Sequence, residues 1–231
     1  MRIVIFGANG ATGRLMTRRA LDAGHSVVAV TRRPAEFPLT DDRLEVARAD
    51  ARDASVVTDV VAGADAVLSS LGVPFTFRPI DTYSVGVGNI VAAMRVSGIR
   101  RLVTVSSTGI AHYPDRVNPP VSLRIIEPVI TRTIGKSTYD DQRRMEDIVR
   151  RSGLDWTVVR PSGLFDLPTA TNYVAGEVEP VGGYTARIDL ADYIVALAGD
   201  SSAVGKTVIV STTEHTPTMW EMVRREAFKS A

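Results

Sequence analysis

The chain opens Arg2-Ile3-Val4-Ile5-Phe6 and runs directly into Gly7-Ala8-Asn9-Gly10-Ala11-Thr12-Gly13-Arg14. An apolar run of strand length that breaks into glycines at positions 7, 10 and 13 predicts a first strand, a tight turn and the opening of a helix. Such a turn lets backbone approach a pyrophosphate, and the helix N-terminus aims free N–H groups and partial positive charge at it. Three glycines alone often only make a turn. Here they follow a strand and precede an amphipathic stretch, the context that dinucleotide binding requires. Gly7, Asn9, Gly10, Ala11, Thr12 and Gly13 are therefore the first candidate cofactor-binding residues.

Beyond the turn, strand-like and helix-like segments alternate. Helices are expected at 12–23 (closed by Gly24), 54–61, 82–97, 139–151, 189–198 and from 217; strands are expected at 26–31, 44–47, 66–71, 102–106, 156–159 and 207–211. This alternation implies right-handed βαβ crossovers and a parallel sheet covered on both faces. The expectation is one α/β domain over 1–231, a Rossmann-type doubly wound sheet with a small C-terminal substrate-side lobe. The stretch 109–138 breaks the rhythm, with Pro114, Pro119, Pro120 and Pro128, and is expected to be irregular and to lie above the carboxyl ends of the strands. It and about 161–188 are expected to be the substrate-side loops.

Composition removes several function classes. The net charge is +1 with both signs spread along the chain, which argues against a nucleic-acid or membrane surface. No apolar run approaches a membrane span, and the N-terminus reads as a core strand rather than a signal peptide. The absence of cysteine excludes disulfides, thiolate ligands and cysteine nucleophiles, and fits a cytoplasmic protein. His25, His112 and His215 lack metal-ligand spacing, so no metal site is expected. The expected partner is a small molecule, and the expected assembly is a monomer or small homo-oligomer.

The second strand ends Val30-Thr31-Arg32-Arg33-Pro34, with no carboxylate where an NAD-specific site commonly receives the ribose hydroxyls. Arg32 and Arg33 could instead grip a 2′-phosphate, which favours NADP(H) over NAD(H), Arg32 being the better candidate; the alternative is two solvated arginines. Asp50, followed by Ala51 at the end of the third strand, could accept from an adenine amino group or cap the next helix. Ser70-Leu71-Gly72 would place Leu71 and Gly72 against the adenosine ribose and pyrophosphate, or simply end a strand. Ser106 and Ser107 close the fifth strand, where hydroxyls would face the nicotinamide, although Ser and Thr at strand ends also form turns. Tyr139 and Arg143 lie four apart on an expected helix and so share a face. That spacing resembles the Tyr-x-x-x-Lys pair of short-chain dehydrogenases, with arginine bringing a wider planar head; the alternative is an exposed charged helix. Trp156 to Gly163, including Pro161, returns backbone to the crevice to close over the nicotinamide.

With these motifs in view the chain resembles an atypical short-chain dehydrogenase/reductase of the NmrA-like group, and more narrowly the biliverdin-IXβ reductase/flavin reductase family. The resemblance runs from Gly7 to about residue 200, through Gly88-Asn89-Ile90-Val91-Ala92-Ala93-Met94, Ser106-Ser107, Asp140-Asp141 with Arg144-Met145, Ser152-Gly153-Leu154, Arg160-Pro161 and Asp166-Leu167-Pro168. It implies an NADPH-binding domain delivering hydride to a flat conjugated acceptor such as a flavin, quinone or linear tetrapyrrole, with Ser107 near the nicotinamide. The chain departs from that family at Gly163 and Gln142, where the reductases carry histidines, and at Tyr139, which is not in their pattern. Two other readings remain: a non-catalytic NADP(H)-sensing NmrA-like regulator, and a cofactor-retaining epimerase or isomerase. Residues 73–81 and 109–138 are expected to wall the acceptor pocket, with Phe75, Phe77, Tyr113 and Leu164 placed to stack on a ring.

Overall fold

The computed structural model describes residues 1–217, and for 121–126 the backbone alone. The helix expected from 217 lies outside the described residues.

The opening apolar run forms β1 (Arg2–Phe6), which pairs in parallel with β2 (Ser26–Thr31) on one side and β4 (Ala66–Ser69) on the other. β3 (Leu44–Arg48) extends the sheet beyond β2, and β5 (Arg101–Val105), β6 (Asp155–Pro161) and β10 (Lys206–Ser211) extend it beyond β4, all in parallel. Antiparallel β8 (Val174–Gly176) closes the edge and completes an eight-stranded sheet of order β3-β2-β1-β4-β5-β6-β10-β8. The direction of strand addition reverses between β1 and β4. In open parallel sheets that reversal opens the ligand crevice at the carboxyl ends of the strands.

β1 is apolar throughout because both of its faces are covered. Ile3 and Ile5 point into a layer with α1 (Ala11–Asp22) and α6 (Arg187–Leu197), where they meet Met16, Leu21, Leu190 and Ile194. Val4 and Phe6 point the other way, toward α2 (Ala54–Val61), α3 (Thr82–Val96) and α5 (Lys136–Arg150), among Val57, Ile90, Met94, Met145 and Val149. Full burial of each large apolar side chain contributes about 1.5–3 kcal/mol, so a polar residue at any of these strand positions would be costly.

Three expectations are corrected. The fourth strand stops at Ser69 rather than 71, leaving Ser70 to Gly72 as a loop at the switch point. The stretch 109–138 is not irregular throughout: α4 (Val121–Arg132) occupies its middle, starting after Pro120 and continuing through Pro128. The segment 161–188 carries β7 (Gly163–Phe165), β8 and β9 (Tyr184–Ala186), with β7 and β9 paired in a separate two-stranded ribbon. This lobe is pinned by Asp189 in the first turn of α6. Fully buried, its carboxylate accepts from Thr171 N and Oγ1, both at 2.8 Å, and from Thr212 Oγ1 at 2.5 Å.

Candidate functional site

The glycine turn is built without space for side chains. Gly7 has φ +77°, and a Cβ there would lie 2.6 Å from the Ser70 carbonyl oxygen across the β1/β4 crevice. A Cβ on Gly13 would sit 2.2 Å from the Gly7 carbonyl oxygen, so α1 packs backbone to backbone against the turn. Gly10 occupies the N-cap of α1 with no side chain to satisfy the first N–H groups, and the first turn holds no acidic residue. Ala11, Thr12 and Gly13 therefore present the uncapped N–H groups and partial positive charge that an anion needs. Asn9 braces the turn by accepting from Arg14 Nε at 3.0 Å. The uncapped N–H groups and the side-chain-free backbone of the turn suit a pyrophosphate.

At the ends of β2 and β3 the two arginines differ. Arg33 is ion-paired with Glu36 at 2.9 Å, whereas exposed Arg32 has no hydrogen-bond or ion-pair partner among the described residues. Asp50 does not cap α2. It accepts from Arg52 N at 3.0 Å within a turn, and Asp53 is the cap, accepting from Ser55 N at 3.1 Å. Ala51 and Leu71 meet across Gly86 of α3, where a Cβ would fall 2.8 Å from Leu71 Cδ1 and 3.3 Å from Ala51 Cβ. No local pattern in the sequence marks Gly86, because the contacts that require it come from residues distant in the chain. Gly72 stands beside them in the open, with nothing within 4 Å of where a Cβ would project.

The end of β5 gathers the hydroxyls. Ser106 is buried, its backbone N–H donating to Val159 O at 2.8 Å and its Oγ without a partner among the described residues. Ser107 Oγ accepts from Gly109 N at 3.1 Å. The Tyr139 ring lies between two glycines: a Cβ on Gly109 would be 2.6 Å from Cε1, and one on Gly135 would be 2.7 Å from Cε2. Phe75 flanks the same ring with centroids 5.9 Å apart. Burial pushes the Tyr139 phenol above its ordinary value, and the Glu127 carboxylate adds to this, while the nearby Ser107 hydroxyl pulls the other way. Arg143, the counterpart of the lysine in the dehydrogenase pair, is engaged away from the phenol. Its Nε donates to Ile110 O at 3.0 Å and its Nη1 pairs with Asp140 at 2.9 Å, binding α5 to the loop after β5. Ser107 and Tyr139 thus converge on Gly109, and Arg143 is held by other partners.

Pro161 is buried at the end of β6, in register with Val210. Gly163 is drawn into the ribbon, donating from N to Gly183 O at 3.0 Å, and a Cβ there would lie 3.3 Å from Tyr184 Cδ1. Gln142 is buried with Oε1 unpartnered among the described residues.

The sequence placed a pocket wall at 109–138 but singled out none of the charged residues that line the cavity there. A cavity of about 730 Å³ begins at Gly109 and runs along the loop to Arg116, the C-terminal half of α4 and the exposed face of α5 at Lys136, Asp140 and Arg143. Residues 73–81 do not line it. Of the expected stacking residues, Phe77 is 79% exposed, Leu164 packs against the main core and Tyr113 lines the cavity. The Tyr113 hydroxyl accepts from Arg160 Nη1 at 3.0 Å, and Arg160 in turn makes a bidentate pair with buried Glu146, at 2.9 and 2.6 Å. Burial works to lower the Arg160 pKa, but Glu146 and Tyr113 outweigh it and hold the guanidinium charged. Among the described residues no group of three His, Asp or Glu could hold a metal, and no helix is long and apolar enough to cross a membrane.

A family described as NAD(P)H-binding matches residues 7–201, from the glycine turn to just past α6. The chain belongs to this NAD(P)H-binding family. A curated relative from Streptomyces griseus, named (4-alkanoyl-5-oxo-2,5-dihydrofuran-3-yl)methyl phosphate reductase, is 31% identical over 69% of the chain and 46% of its own length. Coverage of such relatives varies: the chain spans 85% of a Schizosaccharomyces pombe protein at 26% identity, and 15% of an uncharacterized Mycobacterium tuberculosis protein at 31% identity. Among solved structures, a wide-type short-chain dehydrogenase/reductase from Veillonella parvula in complex with NADP superposes with a TM-score of 0.74 at 20% identity, over 92% of this chain and 95% of its own. ChuY, described as an anaerobilin reductase from Escherichia coli O157:H7, superposes with a TM-score of 0.71 at 20% identity, over 94% of this chain and all of its own. These likenesses establish a Rossmann-type NAD(P)H-binding fold, in agreement with the resemblance read from the sequence.

Proposed function

We propose that the protein is an NADPH-dependent reductase delivering hydride to a small planar or carbonyl-bearing acceptor. The observation that carries this reading is the convergence of Ser107 and Tyr139 on Gly109 at the carboxyl end of β5, two strands from the glycine turn. The uncapped first turn of α1 would hold the pyrophosphate, and Arg32 would hold a 2′-phosphate. Leu71 and Gly72 would border the ribose, and Ser106, Ser107 and Pro161 the nicotinamide, which when bound supplies the hydride. Tyr139 would serve as hydrogen-bond and proton donor to the reduced acceptor, a task that its burial makes harder by raising the phenol pKa. The names of the Streptomyces relative and of ChuY support reductase chemistry. The protein would otherwise contribute orientation and exclusion of water.

The decisive experiment mixes the protein with NADPH and a panel of FMN, quinones and aldehydes and follows nicotinamide absorbance. Steady consumption is expected with at least one acceptor. Tight binding without consumption across the panel would overturn the reading in favour of a cofactor sensor, a role that the diversion of Arg143 away from the phenol favours. In the same assay Arg32→Ala is expected to weaken NADPH binding about tenfold or more and to leave NADH unchanged, because a lost charge-assisted bidentate contact contributes about 1.5–3 kcal/mol. Equal effects on the two nucleotides would remove Arg32 as the 2′-phosphate ligand.

A further inference from the structure

We infer that the cavity along residues 109–143 receives the acceptor and selects one that carries a carboxylate or phosphate group. This rests on the reductase reading and deepens it by naming a substrate class. The cavity starts at Gly109, whose N–H is bound by Ser107 Oγ and whose Cα lies against the Tyr139 ring, so it opens from the residue on which the two side chains converge. Its lining includes the cations Arg116, Arg132, Lys136 and Arg143 against the anions Glu127 and Asp140.

The pairing of these charges leaves cationic capacity over. Lys136 Nζ and Arg143 Nη1 share one carboxylate, Asp140, at 2.6 and 2.9 Å. Arg116 is already engaged, donating to Gly182 O at 3.3 Å and to Glu127 at 3.5 Å over the Tyr113 ring, whereas Arg132 has no partner among the described residues. Tyr113 adds a donor. Its hydroxyl already accepts from Arg160 and donates to none of the described residues, so its own proton can go to a ligand. Four cations thus face two carboxylates, with Arg132 the unengaged one among the described residues, around a space large enough for a bicyclic or larger molecule. Guanidinium groups match the planar or tetrahedral oxygen sets of carboxylate and phosphate, whereas a neutral ligand would leave these donors unanswered.

The test compares 4-carboxybenzaldehyde with its neutral methyl ester. Binding of each is measured by equilibrium dialysis with NADP+ saturating, and turnover of each is measured with NADPH. The acid is expected to bind at least about tenfold tighter at low salt, an advantage that falls at high ionic strength as exposed charge pairs are screened. In Arg132→Gln/Lys136→Gln the advantage should shrink to about threefold or less, while the charge-preserving Arg132→Lys/Lys136→Arg retains it. Equal affinities for acid and ester, or a preference untouched by the charge-removing pair, overturns the inference. If the preference holds and neither probe consumes NADPH, with no other acceptor doing so, the reductase reading fails and the anion site stands. If both aldehydes are reduced with the same KM, the reductase reading stands and the anion site fails.

Discussion

Gly13 shows how far a single residue decides what this crevice can hold. Any Cβ there would overlap the Gly7 carbonyl oxygen at 2.2 Å, and because both partners are backbone, neither can rotate away. Gly13→Ala is expected to force α1 off the turn, raising the dissociation constant for NADPH about tenfold or more in a fluorescence titration and lowering stability by about 1–3 kcal/mol. Binding as tight as wild type would mean that the turn does not hold the phosphates. Tyr139→Phe makes a different demand: turnover should fall about 100-fold or more with NADPH affinity unchanged, the range expected when a positioned general acid is lost. An unchanged rate removes the role. The turn was legible because strand, glycines and helix are contiguous. The glycine pair around Tyr139 was not, since Gly109 is required by a ring thirty positions away, a relation that no local pattern encodes.

Between elements, buried charge does the joining. Arg160 on β6 and Glu146 on α5 form a pair whose side chains are 13% and 1% exposed. Arg150 also pairs with Glu146, at 2.6 Å, so Arg160→Ala would leave the carboxylate with that one partner; breaking such a buried pair is expected to cost about 3–5 kcal/mol, measured as a lower urea midpoint. A loss under about 1 kcal/mol would mean that Arg150 alone satisfies the carboxylate. A second junction joins α5 to α3. Asp141, fully buried, accepts from Tyr83 N at 2.8 Å and from the Ser84 hydroxyl, capping a helix whose own N-cap, Asp81, makes no side-chain cap. Sequence pattern located both helices but not the cap, because the cap is supplied from another element. It also missed α4, since four prolines read as irregular structure. Pro119 and Pro120 precede that helix, where a missing N–H costs little, and Pro128 interrupts it without ending it. The ribbon of β7 and β9 escaped for a simpler reason: three-residue strands are too short to show a period.

The whole molecule carries a pH signature of its own. Burial raises the phenol pKa of Tyr83, Tyr139, Tyr173, Tyr184 and Tyr193 above the ordinary 10.0. In the unfolded chain these groups release protons first, near pH 10, so the unfolded state gains as pH rises beyond that point. The associated stability is complete below about pH 10 and is lost as pH climbs through the raised folded values. The urea midpoint should fall above about pH 10, and tyrosinate absorbance should rise together with unfolding; a titration complete in the folded state near the ordinary value would contradict this. At the same scale, the two ends of the crevice come from different parts of the chain. The glycine turn proposed to hold the phosphates lies within the first fourteen residues, whereas the residues that line the cavity all fall between Gly109 and Arg143. On the proposed reading, acceptor choice resides in a transplantable cassette: exchanging that one stretch between relatives should move substrate preference from one to the other and leave nucleotide choice behind.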